Sequence, residues 1–144
     1  MRSIKLKEDK TGMDTQILDF WIGNFSSEED FEDFVNEDEE FYVEEESDET
    51  HNSKFAESQD TIWLDYDFVE YGFDDTNNNI YDKFSEYSFA DQWLPTLVSR
   101  INELQIKADI NSLIFLNSGQ IAKPISVEDE MFSLVYLGKI EFNV

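Results

Sequence analysis

The chain contains no cysteine, which excludes a disulfide framework and any thiolate-bound metal. Its one histidine, His51, stands in a polar stretch, so a Ser-His-Asp arrangement or an imidazole metal site would rest on a single ring there. A solvated histidine is the simpler reading. Only five glycines and two prolines punctuate the 144 residues, and no phosphate-cradling glycine loop, dinucleotide fingerprint, nucleophile elbow or zinc spacing occurs among them. Basic residues are also scarce, at 10. A direct nucleic-acid binder needs Lys and Arg clusters to neutralise the phosphate backbone, and ten bases against 34 acids make that reading poor. No apolar run approaches the roughly 20 residues that cross a bilayer, and a strongly acidic surface is repelled by anionic headgroups. The opening "MRSIKLKEDKTGMD" lacks the apolar region of a signal peptide, so a cytoplasmic protein that does not bind membranes is expected.

What the chain has in abundance is negative charge: 34 acids give a net charge of -24, and after Lys10 the next basic residue is Lys54. Residues 28–49, "EEDFEDFVNEDEEFYVEEESDE", hold fourteen carboxylates without a Lys or Arg. Charge runs are ordinarily solvated helix faces or disordered tails. A tail has nothing to bury, yet Phe31, Phe34, Val35, Phe41, Tyr42 and Val43 interrupt this run. Part of it should therefore be folded, with its acids outward. At 40% hydrophobic and 15% aromatic, the chain can bury roughly 70% of its unfolded surface in one core, and one domain is the natural count. A field of this sign repels nucleic acid, attracts basic proteins and weakens the fold by self-repulsion.

Residues 1–14 are polar and mixed in charge and are expected to form a flexible N-terminal arm, with a single domain over 15–144. "QILDFWIG" alternates Leu18, Phe20 and Ile22 against Ile17, Asp19 and Trp21, a strand with one apolar and one mixed side. Gly23 and Asn24 supply turn chemistry, Ser26 or Ser27 can cap, and the acids that follow suit a helix N-terminus. On that helix Phe31, Phe34 and Val35 share a face, leaving Glu28, Glu29, Glu32 and Asp33 in water. An acidic connection near 37–53 follows, then a strand over "TIWLDYDFVEYGF". Strict alternation would put Ile62, Leu64, Tyr66 and Phe68 on one side and Trp63, Asp65, Asp67, Val69 and Tyr71 on the other. "DDTNNN" reads as a loop, and Ile80, Phe84 and Tyr87 as a short helix. "DQWLPTLVSRINELQIK" carries Leu94, Leu97, Val98, Ile101 and Leu104 on one stripe with Asp91 as a cap, the main helix over the sheet. "SLIFLN" and "FSLVYLGKIEF" are apolar on both faces and so should be the more central strands, joined by a connection too long for a tight hairpin. The expected fold is α+β, a single small domain: a largely antiparallel sheet of about four strands with helices packed on one face.

Asp65, Asp67 and Glu70 invite a calcium or magnesium reading, but the calcium loop with its glycine and terminal glutamate is missing. Paired carboxylates also suit glycoside hydrolysis, although in so acidic a chain pairs arise by chance. No catalytic residue, metal site or cofactor is assigned, and recognition of a protein remains.

Taken together, "FWIGNFSSEEDFEDFV", "FAESQDTIWLDYDFVEYGF" and "YSFADQW" resemble the bacterial immunity protein 22 family, antidotes encoded beside polymorphic toxins. The sharpest pieces are the strand-to-helix turn at Phe20 to Phe25 and the Trp-x-Asp-x-Asp-Phe stretch at Trp63 to Phe68. The acidic segment from Glu37 to Glu49 and the arm before Thr15 depart from the family's compact pattern. The resemblance implies a non-enzymatic protein that binds a toxin of the same cell, often a nuclease. Charge agrees in sign, since a nuclease needs a basic substrate groove that an acidic inhibitor can engage. The expected partner-binding residues are Glu37, Asp38, Glu39, Glu40, Glu44, Glu45, Glu46, Asp48 and Glu49 of the acidic run, with Trp63, Asp65, Asp67 and Tyr71 on the mixed face of the second strand. Two other readings stay open: an acidic chaperone-like binder of basic proteins, and a divalent-cation-dependent enzyme using Asp65, Asp67 and Glu70.

Overall fold

The computed structural model describes residues 15–36, 53–61, 64, 68–106 and 109–143. The predicted arm at 1–14 and residues 37–52 of the predicted acidic connection lie outside the described residues. The first strand, β1 (Thr15–Phe25), follows its alternation, and Ser27 then caps helix α1 (Glu28–Val35) by accepting from the Asp30 amide at 3.1 Å. Ser53 caps a second helix, α2 (Lys54–Ser58), in the same way through the Ala56 amide. This helix is only one turn long and has no periodicity to announce it. Strand β2 (Val69–Phe73) is shorter than the expected strand over 61–73. Leu64 and Val69 pack into the same apolar cluster, which strict alternation between them forbids. Asn79 caps helix α3 (Ile80–Phe84), and helix α4 (Ala90–Glu103) follows. Asp91 does not cap α4: the N-cap is Phe89, in a left-handed conformation with φ 56° and no side-chain cap bond. Leu104, expected on the buried stripe, is the C-cap residue and is 57% exposed.

Strand β3 (Ser112–Asn117), the two-residue strand β4 (Val127–Glu128) and the long strand β5 (Phe132–Asn143) complete a five-stranded antiparallel sheet in the order β2-β3-β1-β5-β4. The α+β class and the single small domain hold, with five strands rather than four. The first strand, not the last two, is central: β3 and β5 each pair with β1 and lie on either side of it. That placement explains the long link after β3, which has to pass β1 before β5 begins, and which supplies β4 on the way.

Helices cover both faces of the sheet rather than one. Leu18, Phe20 and Ile22 of β1 and Leu113 and Phe115 of β3 pack with Trp93, Leu94, Leu97 and Ile101 of α4. On the opposite face, Trp21, Phe25, Ile114 and Leu116 pack with Phe31, Phe34 and Val35 of α1 and Phe55 and Ala56 of α2. A central strand sandwiched in this way must bury its mixed face too, and Asp19 is 0% exposed. The carboxylate is held by the Tyr136 hydroxyl at 2.6 Å and the Lys139 ammonium at 2.9 Å, both from β5. Burial, followed by this hydrogen bond to a carboxylate, pushes the Tyr136 phenol well above the usual tyrosine range, keeping it a donor. A β-bulge opposite Phe20 and Trp21 lets both β5 side chains reach Asp19.

Candidate functional site

Of the predicted partner-binding residues, Glu37, Asp38, Glu39, Glu40, Glu44, Glu45, Glu46, Asp48 and Glu49 lie outside the described residues, as do Trp63, Asp65 and Asp67. Tyr71 is described. It stands on β2 opposite Ile114, half-buried, on the sheet face that α1 covers. Its ring meets Phe31 edge-on at 6.0 Å, and its hydroxyl donates to Asn36 Oδ1 at 2.7 Å. Asn36 is the C-cap of α1 and the residue just before the acidic run. Tyr71 therefore fixes the point from which that run departs.

Helix α1 sorts its residues as amphipathicity requires. Phe31, Phe34 and Val35 are buried, whereas Glu28, Glu29, Asp30, Glu32 and Asp33 are all exposed. No basic residue stands in this helix. The three acids of its first turn are favoured by the helix dipole, so displaying them costs α1 little.

Between α1 and β2 runs a groove of about 170 Å³, lined by Glu28, Phe31, Glu32, Tyr71, Gly72, Phe73 and Tyr87. Tyr71 and Phe73 point to the α1 side of the sheet and Gly72 to the other, where Tyr87 arrives from the α4 side. A Cβ at 72 would lie 1.3 Å from the Tyr87 hydroxyl oxygen, so a larger residue there would have to displace that ring. Burial, then the nearby Glu70 and Asp74 carboxylates, raise the Tyr87 pKa to about 12. Glu70 is 0% exposed and faces Phe115 across the strand pair. Sequence reading missed Glu28, Glu32, Phe73 and Tyr87 as a set. The available signal was Gly72, since a glycine inside a strand marks a close approach.

A larger cleft of about 460 Å³ opens at the Asn-rich loop between β2 and α3, floored by Ile80, Ile101, Ile106 and Ile110. Its wall includes Asp75 and Asp109, but also Lys83, whose ammonium donates to the Ile110 carbonyl. That mixture selects no one charge of ligand. Among the described residues, no three side chains of the metal-ligating types converge, and no helix is long and apolar enough to cross a membrane.

The described surface of this α+β domain thus presents a carboxylate row beside a groove with aromatic walls. The sequence then fixes the family: residues 18–143 match the family model for Immunity protein 22, and the chain belongs to that family. Its general role is accordingly the neutralisation of a toxin, and its partner is the cognate toxin. No curated protein and no solved structure matches the chain.

Proposed function

We propose that the chain is a non-catalytic inhibitor of a nuclease toxin and that it holds the toxin's basic substrate groove with its own acidic surface. The observation that carries this reading is the row of five exposed carboxylates on α1, free of basic residues and continuous in sequence with the acids from Glu37 to Glu49. A row of fixed negative charge imitates a phosphate backbone, and a nuclease cannot avoid binding such charge without losing its substrate. In this reading Glu37, Asp38, Glu39, Glu40, Glu44, Glu45, Glu46, Asp48 and Glu49 attract the toxin. Trp63, Asp65, Asp67 and Tyr71 offer the mix of aromatic and acid that pairs and stacks with arginine.

The test uses the purified chain and its cognate toxin in a nucleic-acid cleavage assay. Stoichiometric inhibition is expected, weakened by replacing Asp65 and Asp67 together with Asn while the thermal midpoint stays nearly unchanged. If that double variant unfolds instead, those acids are structural and are not the interface. A toxin without nuclease activity would refute the target assignment. Equal affinity for unrelated basic proteins would favour the chaperone-like reading.

A further inference from the structure

The groove between α1 and β2 has a composition that selects one chemical group. Its rim carries Glu28 and Glu32, one helical turn apart and therefore on the same side of α1, both exposed. Its walls are the rings of Phe31, Tyr71, Phe73 and Tyr87, and among the described residues no basic side chain lines it. At about 170 Å³ the groove has the room of one long side chain rather than of a strand or helix. Carboxylates over aromatic walls suit a planar cation that can pair and stack at once, which guanidinium does and ammonium does poorly.

We propose that this groove receives a single arginine side chain of the cognate toxin, its guanidinium paired with Glu28 and Glu32 and stacked on Tyr71 and Phe73. The inference rests on the reading of a basic toxin and adds to it a defined anchor point. Phe31 and Tyr71 are already held in place, by each other and by the hydrogen bond to Asn36. The slot therefore exists before the toxin arrives, and little ordering cost is left for binding.

Calorimetry with catalytically inactivated cognate toxin decides it. Glu28→Gln with Glu32→Gln should weaken binding by roughly tenfold or more. The control replaces Glu103 and Glu128, exposed acids away from the groove, with Gln, and removes the same net charge. On the toxin, surface arginines are changed to lysine one at a time. One such change should weaken binding of the wild type about as much as the groove variant does, and should add nothing in the groove background. Equal losses for the groove and control variants would reduce Glu28 and Glu32 to part of a diffuse field, overturning the anchor while leaving toxin inhibition in place. The anchor is overturned in the same way if no arginine-to-lysine change couples to the groove. A wild-type chain that fails to bind the toxin would overturn the anchor and the parent reading together.

Discussion

Phe34 is 6% exposed and lies among the rings of Phe25, Phe55 and Phe132, at 5.4, 6.0 and 4.8 Å. Phe34→Ala should cost about 3 to 5 kcal/mol, through lost burial and the cavity left between α1 and the sheet. Glu29→Ala, on the solvated side of the same helix, should stay within about 0.5 kcal/mol. Denaturant midpoints of the two variants measure the contrast, and an unchanged midpoint for Phe34→Ala would contradict the packing of α1. Tyr87 sets a pH limit. Its pKa is raised in the fold from 10.0 to about 12, so between those values the unfolded chain releases its proton and the folded chain keeps it. The contribution is complete below pH 10 and is lost as pH rises toward 12, so stability falls through that window. Tyr87→Phe, which cannot titrate, should show a shallower alkaline decline in chemical denaturation. The residues easiest to read in the sequence were apolar ones at regular spacing, such as Phe31 and Phe34. Asp19 was the opposite case, because its burial depends on Tyr136 and Lys139, more than a hundred residues away, and no local pattern encodes that partnership.

Strand β5 runs alongside β1 over its whole length, and the two have to absorb a register shift between Phe20 and Trp21. The shift is built from Gly138, at φ 92°, and from the Leu137 carbonyl, which accepts from the Arg100 guanidinium of α4 at 2.9 Å. Gly138→Ala should therefore cost about 1 to 2 kcal/mol in backbone strain. The new methyl would also stand 3.1 Å from Arg100 Nη1. In an Arg100→Ala background the steric part of that cost should vanish while the backbone part remains, a difference that thermal unfolding of the three variants can separate. Elements with a strong period, β1 and α4, or with a continuous apolar run, β3 and β5, were legible. Two short ones without either signal were not: α2 has five residues and β4 has two, and each owes its existence to packing. The Gln59 side chain at the end of α2 shows how. Its amide takes both backbone groups of Ile125, at 2.8 and 3.0 Å, and Trp21 donates to the same carbonyl, which fixes the link before β4 over the sheet. The second helical layer was missed for a related reason. A strand with one acid among apolar residues looks half-solvated until a helix is known to cover it. Tyr71, the described member of the predicted site, stands at the α1–β2 boundary, and its groove neighbours Glu28 and Tyr87 come from elements that the sequence does not connect.

Across the whole molecule, one quantity acts in two directions. A net charge of -24 on 144 residues repels itself within the folded chain and, in the proposed reading, attracts a basic toxin outside it. Added salt screens both interactions, with a Debye length of about 8 Å at physiological ionic strength and about 3 Å at 1 M. For the free protein, screening removes repulsion, so the thermal midpoint should rise with sodium chloride. For the complex, screening removes attraction before contact, so association with the toxin should slow over the same range. Dissociation should change less, because exposed charges at the rim of an interface contribute little once it has formed. Changing Glu37, Asp38, Glu39, Glu40, Glu44, Glu45, Glu46, Asp48 and Glu49 to Gln or Asn removes nine negative charges and should flatten both dependences together. Stopped-flow association at several salt concentrations, beside thermal melts of the same two proteins, separates the possible roles of the run. If the neutralised variant melts higher yet associates with the salt slope of the wild type, the run bears only the cost of repulsion, and attraction arises elsewhere on the surface. If both slopes flatten, these acids steer the toxin, and the stability they forfeit is tied to the speed of capture.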